Sequence, residues 1–139
     1  MSKPGVRRSI LQRVFGICAT RPPADQGCWK FEGGKVIVTL SRAPELAGEN
    51  GAIRLEGMGM LQRVLVFRGR DGKYHALSNR CMHMGRRLDP VPGAEQVDCC
   101  SLGRSSYDHQ GRILSGMARR NVLAFPVAEE GGELSIQIQ

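Results

Sequence analysis

Residues 71–88 read DGKYHALSNRCMHMGRRL, and the fold turns on them. Asp71-Gly72 separates two apolar runs, Arg63–Phe67 (RVLVF) and Lys73–Leu77 (KYHAL). An Asp-Gly step between strand-forming runs is a strong hairpin signal, because tight hairpin turns need residues that tolerate positive φ. The returning strand leads into Cys81-Met82-His83, which sets a thiolate and an imidazole on one tight loop. Residues 84–98 separate that pair from Cys99-Cys100, at the end of a predicted strand Val97–Cys100. The two pairs are therefore expected at the tips of neighbouring hairpins, close enough to share one metal cluster. Soft thiolates with a borderline imidazole suit iron–sulfur clusters and zinc.

The surrounding chain extends the same pattern. Lys35–Leu40 (KVIVTL) and Ala52–Leu55 read as strands, with a strand end and a short turn of helix over 41–47. Ser106–Asp108 and Arg112–Leu114 are short strands turning at Gln110-Gly111, and Val122–Val127 and Leu134–Ile138 close the chain around Glu129–Gly132. Strands at roughly ten-residue spacing joined by glycine turns predict a small all-β antiparallel sandwich or barrel. Its 139 residues have the length of one domain, and 41% hydrophobic content is enough for a compact core. Residues 1–30 read as a separate basic segment. Residues 7–17 form a short amphipathic helix, and Pro22-Pro23 break it. Arg7-Arg8 is a poor export signal, because Gln12 and Arg13 interrupt the apolar stretch that such a signal needs. No run of about 18 apolar residues exists to span a membrane. The odd set of five cysteines, two of them adjacent, does not look like a secreted disulfide framework, so the cytoplasm is the expected compartment.

The sequence resembles the Rieske iron–sulfur family. Asp71–Leu77 looks like the hairpin before the family's first ligand loop, and Cys81-Met82-His83-Met84-Gly85 with Leu88 looks like that loop. Ser105-x-Tyr107-Asp108 and Gln110-Gly111-Arg112 resemble the tail of the second loop, and the last two strands match the family's closing strands. The resemblance implies stacked antiparallel sheets over residues 31–139, with a small cluster-binding subdomain at about residues 79–118 and a short helix before the domain. It also implies a [2Fe-2S] cluster held by Cys81, His83 and Cys100. Gly85 would supply a backbone conformation barred to other residues. The hydroxyls of Ser105 and Tyr107 stand where the family donates hydrogen bonds to sulfur, which raise the reduction potential. Residues 115–118 (SGMA) fall where the family has a proline-containing cover loop, so that cover is altered.

One position departs from the family. Its cluster takes two Cys on one iron and two His on the other. Counting back from Tyr107 puts Gly103 at the second histidine, and the alternative register, with Cys99 as ligand, puts Leu102 there. The fourth ligand is then Cys99, Cys18, Cys28 or His109, or there is none. A third thiolate would add negative charge and lower the potential. Competing readings are a cluster-free interaction or regulatory subunit on the same fold, and a structural zinc site.

Twenty Lys and Arg against thirteen Asp and Glu give a net charge of +7. Arg86-Arg87, Arg104 and Arg119-Arg120 fall in loops expected around the site, a positive rim that would steer an acidic redox partner. Nucleic acid is disfavoured, since aromatics do not interleave with the basic residues. The reading is a soluble one-electron carrier or electron-transfer subunit and not an independent catalyst. An oxygenase would need a second two-His-one-carboxylate iron site, for which only His75 and His109 remain.

Overall fold

A computed structural model describes residues 20–49, 51–80, 87–91, 94–99, 105–116 and 120–138. The expected helix at 7–17 lies outside the described residues, as do 81–86 and 100–104, which carry Cys81, His83, Gly85 and Cys100. The described chain is all-β. Its strands are β1 (Trp29–Glu32), β2 (Lys35–Thr39), β3 (Ala52–Gly57), β4 (Met60–Arg68), β5 (Tyr74–Ser78) and β6 (Leu88–Pro90). They continue as β7 (Gln96–Cys99), β8 (Ser106–Asp108), β9 (Ile113–Ser115), β10 (Ala124–Phe125), β11 (Val127–Glu130) and β12 (Glu133–Gln137). They pair into a base sheet β1-β2-β12-β11, a middle sheet β10-β5-β4-β3 and an outer sheet β6-β7-β8-β9.

The middle sheet is buried on both faces. Successive side chains of a strand point to opposite sides. Along β4, Val64 and Val66 therefore enter one core with Val36, Val38, Leu134 and Ile136 of the base sheet. Leu65 and Phe67 enter a second core with Leu88, Val97, Cys99 and Tyr107 of the outer sheet. All four β4 residues are fully buried. This is why RVLVF has no polar member among its last four residues, where a strand wet on one face would alternate.

Most strands lie where the sequence predicts them, with differences that have local causes. β1 begins ahead of the expected domain start, and Trp29 is buried in the first core opposite Val38. Its four residues include Lys30 and Glu32 on the outer side, too short an alternation to stand out. β6 is Leu88-Asp89-Pro90, a strand whose middle residue is a buried carboxylate. Proline is tolerated there because β6 is an edge strand and owes no ladder hydrogen bond on its open side. The expected strand Val122–Val127 divides at Pro126: β10 pairs with β5 in the middle sheet and β11 with β12 in the base sheet. The strand end and helical turn expected at 41–47 are two 3-10 turns, Leu40–Arg42 and Pro44–Leu46.

Gly111 fixes the return from the outer sheet. Its φ is +85°, and an added Cβ would collide with the Val122 carbonyl oxygen. The Val122 N–H donates to the Gly111 carbonyl at 2.8 Å, so the turn after β8 is stitched to the segment that re-enters the middle sheet. Leu65→Ala should cost about 2–5 kcal/mol in urea unfolding, since the second core cannot collapse around the missing side chain. Leu61→Ala, at a side chain 96% exposed, should stay within about 0.5 kcal/mol.

Candidate metal centre

The described residues define the frame from which both candidate ligand loops spring. Asn79, at the end of β5, is 1% exposed. Its N–H donates to the Arg63 carbonyl at 2.8 Å, and its side-chain oxygen accepts the Leu88 N–H at 2.7 Å. Residues 79 and 88, either side of the stretch that holds Cys81 and His83, are thereby pinned together. The second loop is bracketed in the same way: the Cys99 N–H donates to the Ser105 carbonyl at 2.9 Å. Leu88 and Cys99 are direct cross-strand partners of β6 and β7. The two brackets are thus neighbours, so the described ends of both candidate ligand segments meet at one corner between the middle and outer sheets.

Ion pairing reinforces that corner. Arg87 forms a two-pronged pair with Glu56 of β3, at 2.6 and 2.9 Å. Both side chains are about two-thirds buried. The Arg87 hydrogen bond holds the Glu56 carboxyl below its usual range, and Glu56 in turn raises the Arg87 guanidinium. Arg87 is therefore tied to the middle sheet and does not stand free on a rim. Arg120 is exposed, while Arg86, Arg104 and Arg119 lie outside the described residues.

Of the other candidate site residues, Cys99 is fully buried in the second core, among Leu88, Val97 and Tyr107. Cys28 is buried in the first core, on the far side of the middle sheet, where burial pushes its thiol up. His109 follows β8 at the end away from Ser105, roughly 13 Å along the strand at 3.3 Å per residue. Its ring lies 4.8 Å from Phe67, edge-on, and 5.1 Å from His75. Neither Cys28 nor His109 therefore belongs to the corner where the loops leave. Ser105 and Tyr107 are both fully buried, Tyr107 within the second core. Among the described residues no three His, Cys, Asp or Glu side chains converge to hold a metal ion.

Four supporting residues carry no local signal in the sequence. Asn79 and Glu56 act only through pairings that connect distant strands. Asp89 and Asp98 face each other across β6 and β7, both buried, an arrangement unexpected for carboxylates. Asp98 accepts from the Ser106 hydroxyl at 2.7 Å, and Asp89 accepts the Thr20 N–H at 2.8 Å. The Arg21 carbonyl accepts the Arg54 N–H of β3, and the Ala24 N–H meets Glu45. The arm from 24 back to 20 thus runs along β3 and onto the outer sheet.

A family model for the Rieske [2Fe-2S] domain matches residues 37–126. The chain belongs to the Rieske family. That family binds a [2Fe-2S] cluster, and its domains serve as electron carriers or as parts of oxidoreductases. Among solved structures, the domain is similar to the plasma-membrane Rieske protein PetC3 from Synechocystis PCC 6803, at 18% identity and TM-score 0.53, over 62% of this chain and 85% of that one. It is also similar to a chain of the oxygenase–ferredoxin complex of carbazole 1,9a-dioxygenase, at 22% identity and TM-score 0.61, over 78% of this chain. The quaternary ammonium Rieske monooxygenase CntA matches at 22% identity and TM-score 0.52, over 69% of this chain. This Rieske domain spans only 29% of the dioxygenase chain and 30% of CntA. At these identities the likeness is one of fold. No curated protein sequence matches. Among the described residues no helix is long and apolar enough to cross a membrane.

Two acid transitions are expected. Burial, and then the charge of His75, lower the His109 pKa, so the unfolded chain takes up the proton first. Stability should fall as pH drops below about 6.5, and His109→Gln should flatten that step in a series of thermal melts. The Glu56 carboxylate contributes above its unfolded pKa and loses its effect as pH falls through its lower folded value. Glu56→Gln should cost about 1 kcal/mol at pH 7, and progressively less as pH falls below the unfolded glutamate range.

Proposed function

We propose that this Rieske domain is a one-electron carrier or electron-transfer subunit whose [2Fe-2S] cluster has non-standard ligation. Cys81, His83 and Cys100 are three of its ligands, and Cys18 is the fourth. The observation that carries this reading is the bracketed corner. The Asn79–Leu88 and Cys99–Ser105 hydrogen bonds, joined by the Leu88–Cys99 pair, start both loops side by side. The donor set suits the cluster: two thiolates and an imidazole from adjoining loops, above a floor of Leu88, Cys99 and Tyr107 that keeps water from beneath.

The choice of Cys18 follows from where its rivals stand. Cys28 and His109 are packed away from the corner, and Cys99 is enclosed in the second core. Cys18 is two residues from Thr20, whose N–H is held by Asp89 beside Leu88. Two residues reach about 7 Å, and the arm is already heading along β3 toward the end where Glu56 meets Arg87. When bound, the cluster supplies a one-electron couple. This chain's own residues hold the loops, exclude water and tune the charge at sulfur, with Gly85 shaping the first loop and Ser105 and Tyr107 the second. The partner is an acidic redox protein, met by Arg120 and the other rim arginines at 86, 104 and 119, in the cytoplasm.

The test is iron, sulfide and zinc content of anaerobically purified protein, with its visible and EPR spectra. Two irons and two sulfides per chain are expected. Cys18→Ala, Cys81→Ala, His83→Ala and Cys100→Ala should each lower iron content several-fold. Cys28→Ala and His109→Gln should leave it unchanged. Zinc in place of iron, or folded protein with no metal, would overturn the carrier reading. Full iron with an unchanged EPR signal in Cys18→Ala would remove Cys18 from the ligand set.

A further inference from the structure

A groove lies beside the bracketed corner. It is lined by Leu61, Gln62 and Arg63 from β4 and by Ser78 and Arg80 from the end of β5. Arg80 is exposed and immediately precedes Cys81. Arg63 is half-buried, and its charge is felt by Arg54, Arg80 and Arg87, with Glu56 as the facing carboxylate. Four guanidinium groups thus gather around the Glu56 carboxylate, which Arg87 already holds. Burial first, and then the neighbouring arginines, hold the Arg63 pKa below its usual value. A carboxylate arriving beside Arg63 and Arg80 offsets the like charge gathered there.

The groove also has an apolar side. Leu61 is 96% exposed and Leu123 is 59% exposed. Leu123 is joined to the groove through its carbonyl, which accepts the Ser78 N–H at 2.8 Å. A protein surface supplies carboxylates and aliphatic groups together, whereas a free anion uses only the charge. A nucleic-acid strand would need stacking partners, and none of the five lining residues is aromatic.

We infer that this groove is a docking site for an acidic segment of a partner protein, with carboxylates on Arg63 and Arg80 and an aliphatic side chain against Leu61. The inference deepens the electron-transfer reading by placing the partner against the base of the first candidate ligand loop. The groove adjoins both ends of that loop, since Asn79 and Leu88 are hydrogen-bonded to each other. Leu61, Gln62, Arg63 and Ser78 belong to β4 and β5, so most of the groove rests on the middle sheet.

The test uses a fluorescein-labelled twelve-residue peptide of Asp and Glu with one central Leu, followed by fluorescence anisotropy at low salt. Saturable binding is expected, weakened at least tenfold by Arg63→Gln/Arg80→Gln and several-fold by Leu61→Gln or by Arg80→Gln alone. Both single changes are at exposed positions, so folding is not at stake. Lys35→Gln/Lys73→Gln removes the same charge far from the groove and should change affinity less than twofold. Equal losses in the two double variants would reduce the effect to net charge and overturn the inference. Tighter binding of a single-stranded oligonucleotide, or competition by millimolar inorganic phosphate as effective as by peptide, would overturn it as well. Binding is read without redox chemistry, so a protein lacking iron that still binds the peptide refutes the carrier reading and leaves the docking site standing.

Discussion

The structure depends on one strand being buried on both sides. β4 sends Val64 and Val66 one way and Leu65 and Phe67 the other, and each pair anchors a different core. A slip of one residue in its pairing would exchange the two sets, so register here fixes the base sheet and the outer sheet at once. The candidate metal centre inherits that rigidity. Val64 pairs with Ser78, and the next pairing holds Asn79 to Arg63, so the position of the first loop is set by the core-forming strand beside it.

From that strand outward, the corner is built by backbone and amide hydrogen bonds more than by side-chain packing. Asn79 is the hinge of the arrangement because it bonds in two directions, to β4 and to the start of β6. The Glu56–Arg87 pair adds a third fixing point from β3. Two loops that begin and end at bonded positions can vary in content without moving their roots.

The legible parts of the sequence were those governed by local rules. Asp71-Gly72 announces its hairpin, the apolar run at 63–67 announces a strand, and the cysteine–histidine spacing with Tyr107 points to the family. What the sequence hid depends on partners far along the chain. β6 contains a buried aspartate and a proline, and nothing in LDP signals that Asp89 faces Asp98 or receives the Thr20 N–H. Pro126 lies within an apolar run, and only the pairings of Ala124–Phe125 and Val127–Glu130 reveal that the chain changes sheets there. Arg87 reads as a loop charge until Glu56, thirty-one residues earlier, is found beside it.

The order of the strands also has a consequence for how the chain is made. The outer sheet uses four strands that follow one another, all within residues 88–115. The base sheet pairs β2 with β12, whose residues are nearly a hundred positions apart. Contacts of short sequence separation form early, while distant ones wait on loop closure. On the ribosome, the stretch from Cys81 to Cys100 emerges before β11 and β12 exist to complete the base. The outer sheet can therefore begin to form from neighbouring strands before the base sheet that completes the domain has closed.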